Sequence, residues 1–95
     1  MFVILLHYIK PASEVDRLVG EHRQFLARHY ASGHFLLSGP QEPRTGGVIL
    51  ALAKDKAEVE AIIRQDPFHR EGIAEYQIVE FIPKFTAAGL AQYKA

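Results

Sequence analysis

Two segments of this chain are apolar on both sides of the strand each would form, and this restricts the fold more than any other feature. In Phe2-Val3-Ile4-Leu5-Leu6-His7-Tyr8-Ile9, one side carries Phe2, Ile4, Leu6 and Tyr8, the other Val3, Leu5, His7 and Ile9. Val48-Ile49-Leu50-Ala51-Leu52-Ala53 is apolar on both sides as well. A strand with one wet face alternates apolar and polar residues. These two do not, so both faces of the sheet they belong to need cover.

The rest of the chain supplies cover for one face. Pro11 stops the first strand. Ser13-Glu14-Val15-Asp16 has the form of a capping box, with Ser13 as N-cap and Asp16 as a shorter stand-in for Glu. The helix it opens is expected to run to about Ser32, with Gly33 as a left-handed terminator. Phe35 to Ser38 reads as a second strand, Gly39 to Gly47 as turn chemistry throughout, and Val48 to Ala53 as a third strand. Asp55 caps a second helix whose buried stripe is Val59, Ile62 and Ile63. Asp66-Pro67 ends it, because the residue before proline is pushed out of the α region. Gly72 closes a short turn, Tyr76 to Phe85 is a fourth strand broken near Pro83, and residues 86–95 form a short tail helix anchored by Leu90 and Tyr93. The order β-α-β-β-α-β predicts an α+β fold of the ferredoxin-like type, a four-stranded antiparallel sheet with two helices on one face. The second face is then expected to be covered by another copy, giving a homodimer whose sheets pack face to face as a dimeric α+β barrel. The alternative is that the tail folds back over it.

Composition excludes several function classes. Ninety-five residues are expected to form one domain, its core over about 1–85. Eleven basic residues balance eleven acidic ones, so nothing in the net charge favours nucleic acid or a membrane surface as partner. The absence of cysteine removes disulfides, zinc-finger spacing and thiol nucleophiles together, and fits a cytoplasmic location. The N-terminus lacks the basic region of a signal peptide and is too short for a membrane span.

Few residues remain that could carry chemistry. His22 sits in a helical stripe with Val15, Leu18, Val19, Phe25 and Leu26, so its imidazole points toward the core. A titratable group placed there is either hydrogen-bonded in the interior or lines a pocket. His29, two turns on, shares the stripe and the ambiguity. His7, His22, His29, His34 and His69 lack metal-ligand spacing, and no metal site is expected. Asp66 before Pro67 suits a helix N-cap, yet a carboxylate has lone pairs to spare, so one oxygen could cap while the other accepts from an imidazole. Ser38, or the amides near Gly39, could stand at a pocket rim. Arg44 and Arg64 could grip a substrate carboxylate, although solvated arginine is the default. No nucleophile elbow and no phosphate-binding glycine loop occurs.

The strand Phe2 to Tyr8, helical Glu21-His22-Arg23, Leu37-Ser38-Gly39-Pro40, the Gly46-Gly47 hairpin, and Asp66-Pro67-Phe68 followed by Gly72 occur in the order and spacing of a known family. In these motifs the chain resembles the YCII-related (YciI-like) family of small bacterial proteins, over Met1 to about Phe85. The resemblance implies the dimeric α+β barrel and a cleft built around a histidine–aspartate pair, here His22 and Asp66, with Ser38 near the same pocket. One characterised branch of the family removes chloride from a chlorinated hydroxyhydroquinone, and the similarly folded muconolactone isomerases move protons on a lactone. The expected function is therefore a cofactor-independent lyase or isomerase acting on a small aromatic or lactone substrate. Asp66 would orient His22 as general acid and base. Phe25, Phe35 and Phe68 would wall the pocket, and Tyr8, or His7 if the register turns it inward, would bind a substrate oxygen. The alternative is a non-catalytic module that binds a small metabolite, with His22–Asp66 as a structural pair. A hydrogen bond of about 2.7–3.2 Å opening onto a cavity favours the first reading, and the same bond sealed from solvent the second.

Overall fold

A computed structural model describes residues 1–95. Its elements are β1 (Phe2–Tyr8), α1 (Ala12–Ala31), β2 (Phe35–Pro40), β3 (Gly46–Ala51), α2 (Lys56–Ile63), α3 (Pro67–Arg70), β4 (Ala74–Glu80) and a terminal 3₁₀ segment, Ala88–Tyr93. The strands form one antiparallel sheet in the order β2-β3-β1-β4. This is the expected α+β ferredoxin-like arrangement. The two doubly apolar strands are its centre, which explains their composition.

β4 begins two residues before the expected Tyr76 and stops at Glu80, short of the expected Phe85; local chemistry accounts for most other boundaries, and for two further differences from expectation. Ser13 is not the cap of α1. The helix begins earlier, on Pro11, whose carbonyl accepts from both Glu14 and Val15 N–H, and no side chain caps it. Asp16 is thereby freed from capping and reaches Arg44 in the β2–β3 connection, at 3.0 Å. The hairpin also extends further than its turn-forming composition suggests. β2 continues to Pro40, and β3 starts at Gly46. There the backbone crosses β1 so closely that a Cβ on Gly46 would stand 1.7 Å from the Leu6 carbonyl oxygen. Gly33 does end α1 in the left-handed region, at φ 86°, and Asp55 caps α2 by accepting from Glu58 N–H at 2.9 Å.

The core lies between the sheet and its helices. Phe2, Ile4, Leu6, Ile49 and Ala51 from the sheet meet Val15, Leu18 and Phe25 of α1, Val59, Ile62 and Ile63 of α2, and Phe68 of α3. The opposite face is open. Leu37, Leu50, Val3 and Val79 lie in one row across it, with Val48 and Leu5 in the next, and Leu37 is 61% exposed. The tail does not close this face. No residue of the 3₁₀ segment is buried, Leu90 is exposed instead of anchoring it, and Phe85 is 94% exposed. No helix is long and apolar enough to cross a membrane.

Candidate active site

Asp66 organises the site. It caps α3 from an extended backbone, with Pro67 following at the first helical position, and its Oδ1 accepts from Phe68 N–H at 3.0 Å. The same Oδ1, and not the second oxygen as expected, accepts from His22 Nδ1 at 2.8 Å. Oδ2 accepts from the Tyr76 hydroxyl at 2.7 Å. The residue is 0% exposed. A buried carboxylate is costly unless paired and hydrogen-bonded, and these donors meet that need from α1, α3 and β4.

Because Asp66 accepts at Nδ1, that nitrogen carries the hydrogen and Nε2 of neutral His22 is left as the acceptor. Nε2 makes no hydrogen bond within the chain, and no buried side-chain nitrogen or oxygen lacks a partner. Nε2 therefore reaches solvent, and His22 lines a cleft of about 170 Å³ between α1 and the β2–β3 side of the sheet. The His22 side chain is 14% exposed. The bond has the expected length and opens onto a cavity.

The ring is held by more than Asp66. Phe68 stacks on it at 4.2 Å between centroids with planes 11° apart, and Phe25 lies at 6.0 Å. This corrects the expected pocket walls: Phe25, Phe35 and Phe68 are core residues, and Phe68 backs the imidazole without lining the cleft. The walls are Leu6, Val19, Leu26, Pro40 and Ile49. Tyr8 and Ser38 do line the cleft, as expected. Tyr8 stands edge-on to Phe68 at 5.9 Å, and the Ser38 hydroxyl is hydrogen-bonded to that of Tyr30. His7 is not brought to the site. It points to the open face of the sheet, level with Gly46 and Glu75. Arg44 lines the cleft and Arg64 does not.

Tyr76 is the participant that sequence reasoning missed. Burial, and then the charge of Asp66, push its hydroxyl pKa far above the usual tyrosine value, so it remains a donor. A signal was present. Ala74, Tyr76 and Ile78 alternate onto the helix-facing side of β4, where a phenol requires a partner. His29 resolves the other way. It is 7% exposed, with Nε2 bonded to Gln65 Oε1 at 2.8 Å and Nδ1 3.4 Å from His34 Nδ1. No cluster of acidic residues, histidines or cysteines has the geometry of a metal site.

The YCII-related domain model matches residues 1–82, and the chain belongs to that family. Among solved structures, the chain is similar to 5-chloro-2-hydroxyhydroquinone dehydrochlorinase from Burkholderia phenoliruptrix, in complex with 2,5-dihydroxybenzoquinone. The TM-score is 0.68 at 19% identity, covering 85% of this chain and 93% of that one. At this identity the likeness establishes the shared fold. No curated protein matches.

Proposed function

We propose that the chain is an acid–base catalyst of the lyase or isomerase type acting on a small ring compound, with His22 as its catalytic residue. The observation that carries this reading is the division of labour on one imidazole: Nδ1 is tied to Asp66 at 2.8 Å while Nε2 opens on the cleft. Nε2 would take a proton from an acidic C–H or O–H of the substrate. In an elimination, the electron pair released moves into the ring and expels a leaving group such as chloride with its own bonding pair. In an isomerisation, the proton returns at another ring position. Asp66 is a positioning residue: it holds the tautomer and stabilises the imidazolium formed in either case. Tyr76 and Phe68 position Asp66 and the ring in turn. The activity of the similar dehydrochlorinase on a hydroxylated ring supports this reaction class.

The test is turnover of 5-chloro-2-hydroxyhydroquinone and of unsaturated lactones, followed by chloride release and ultraviolet absorbance. His22→Gln and Asp66→Asn should each lower kcat by roughly 10²–10⁴-fold. Asn keeps an acceptor for Phe68 N–H, so the α3 cap survives. Folded variants that retain wild-type turnover would refute the reading. A wild-type protein that binds these compounds and converts none would establish a binding module instead.

We also propose that a second copy covers the open sheet face. Its rows of Leu37, Leu50, Val3, Val79, Val48 and Leu5 form a contiguous apolar surface of the kind that marks an interaction site.

A further inference from the structure

The acid–base reading leaves the charge of the cleft unused. The lining holds two guanidiniums, Arg23 and Arg44, and no carboxylate. Acidic groups nearby are committed elsewhere. Glu21, beside His22 in sequence, is gripped by both terminal nitrogens of Arg70 at 2.7 and 3.1 Å. Asp66 is consumed by its donors behind the imidazole. Arg17, Arg44 and Arg70 each pair with a carboxylate, whereas Arg23 pairs with none. Arg44 is paired with Asp16, at 3.0 Å, with the Tyr8 hydroxyl also near it, and both members of the pair are about half exposed, at 47% and 62%. Exposed pairs of this kind are held weakly.

From this we infer that the cleft takes a single-ring anion, an aromatic carboxylate or a ring enolate or phenolate, whose acid group is held by Arg23 and Arg44. Asp16 is the internal stand-in that occupies Arg44 until the ligand replaces it. Size agrees: the cleft measures about 170 Å³, and an apolar cavity of about 150 Å³ holds one benzene ring. Chemistry agrees as well. The guanidinium fork matches two oxygens on one carbon or on neighbouring ring carbons. Leu6, Val19, Leu26 and Ile49 supply the apolar walls for the ring itself. The inference builds on the acid–base reading, because a ring seated here lies in the cleft that His22 Nε2 faces. Charge developing on a ring oxygen as Nε2 removes a proton would then meet cations already in place.

Benzoate and benzamide separate charge from shape. Both are titrated into the ¹⁵N-labelled protein at pH 7.5 and low salt, followed by backbone amide shifts. Benzoate should bind about tenfold more tightly than benzamide, with shifts centred on His22, Arg23, Ser38 and Val48. Arg23→Gln and Arg44→Gln should each erode that preference. Asp16→Asn, by releasing Arg44, should strengthen benzoate binding severalfold and leave benzamide unchanged. Equal affinities for the two compounds, no binding of either up to roughly 10 mM, or weaker benzoate binding by Asp16→Asn would overturn the inference. Failure of the catalytic reading is separately visible: His22→Gln would then keep turnover while the benzoate preference stands.

Discussion

Replacing Tyr76 by Phe removes one oxygen and leaves the ring, so it isolates the donor to Asp66. The hydroxyl lies 2.7 Å from Oδ2 of a carboxylate that is 0% exposed. Without it, that oxygen is buried with no partner, because Phe68 N–H and His22 both serve Oδ1. Hydrogen bonds to charged groups contribute about 1.5–3 kcal/mol, and an orphaned buried acceptor costs a similar amount. Tyr76→Phe should therefore lose about 2 kcal/mol at pH 7, or about 8–16 °C in Tm for a domain of this size. The loss should depend on pH in a defined direction. Burial and the Asp66 charge raise the Tyr76 pKa in the folded state, whereas in the unfolded state it is about 10. A raised pKa stabilises fully below the unfolded value and is lost as pH climbs above it. By pH 11 the unfolded chain has released this proton and the native state has not, which costs wild type about 1.4 kcal/mol. The phenylalanine variant has no such proton, so the gap between the two should narrow from about 2 to about 0.6 kcal/mol between pH 8 and pH 11. Urea denaturation of both proteins across that range measures it, with the remaining tyrosines and lysines cancelling in the difference. A gap that is negligible at pH 8, or constant to pH 11, would refute the assignment of Tyr76 as donor to a buried carboxylate.

Gly46→Ala sets a methyl group 1.7 Å from the Leu6 carbonyl. It should destabilise by about 3 kcal/mol or more, at or beyond the upper end of overpacking costs, which urea denaturation or loss of soluble folded protein will show. Light scattering after size exclusion at micromolar concentration should give twice the chain mass of 10.7 kDa, and Leu50→Lys should shift it to one copy. A monomeric wild type removes the proposed face-to-face pairing. His29→Leu removes the bond to Gln65, whose exposed amide can turn to water, so it should cost no more than about 1 kcal/mol of stability while leaving turnover unchanged, and a loss of turnover in a fully folded variant would contradict its purely structural placement.

The sheet was legible because its constraints are local. Gly33, Asp55 and the Asp66-Pro67 pair act within a few residues of themselves, and the doubly apolar composition of β1 and β3 showed that both faces of the sheet need cover without reference to any partner strand. The misplacements have non-local causes. Ser13 and Asp16 have the spacing of a capping box, but Pro11 offers its carbonyl to both first-turn amides, and Arg44, distant in sequence, takes the carboxylate. Gly39 to Gly47 has turn composition, yet β1 lies alongside. Pairing with Leu6 and His7 draws Gly47 and Gly46 into the sheet. The residues chosen for flexibility are there partly to let two backbones approach.

The same division explains the site. His22 and His29 occupy one stripe of one helix, and nothing within α1 separates them. What separates them arrives from the far side of the fold. α2 ends so that Gln65 meets His29 and Asp66 meets His22, adjacent residues that assign opposite roles to two histidines a short way apart. Gln65, itself exposed, ties up the buried His29, which does not line the cleft that His22 lines. Asp66 can orient His22 because Oδ1 keeps a second lone pair after capping α3, Tyr76 restrains Oδ2, and the imidazole lies where α1 stands off from the β2–β3 side of the sheet. Arg23 was passed over for a related reason. A surface arginine is ordinarily solvated, and only the pairing of Glu21 with Arg70 and of Asp16 with Arg44 leaves it as the unpaired cation of the cleft. The chemistry assigned to this chain thus depends less on which polar residues it contains than on which of them the fold leaves without a partner.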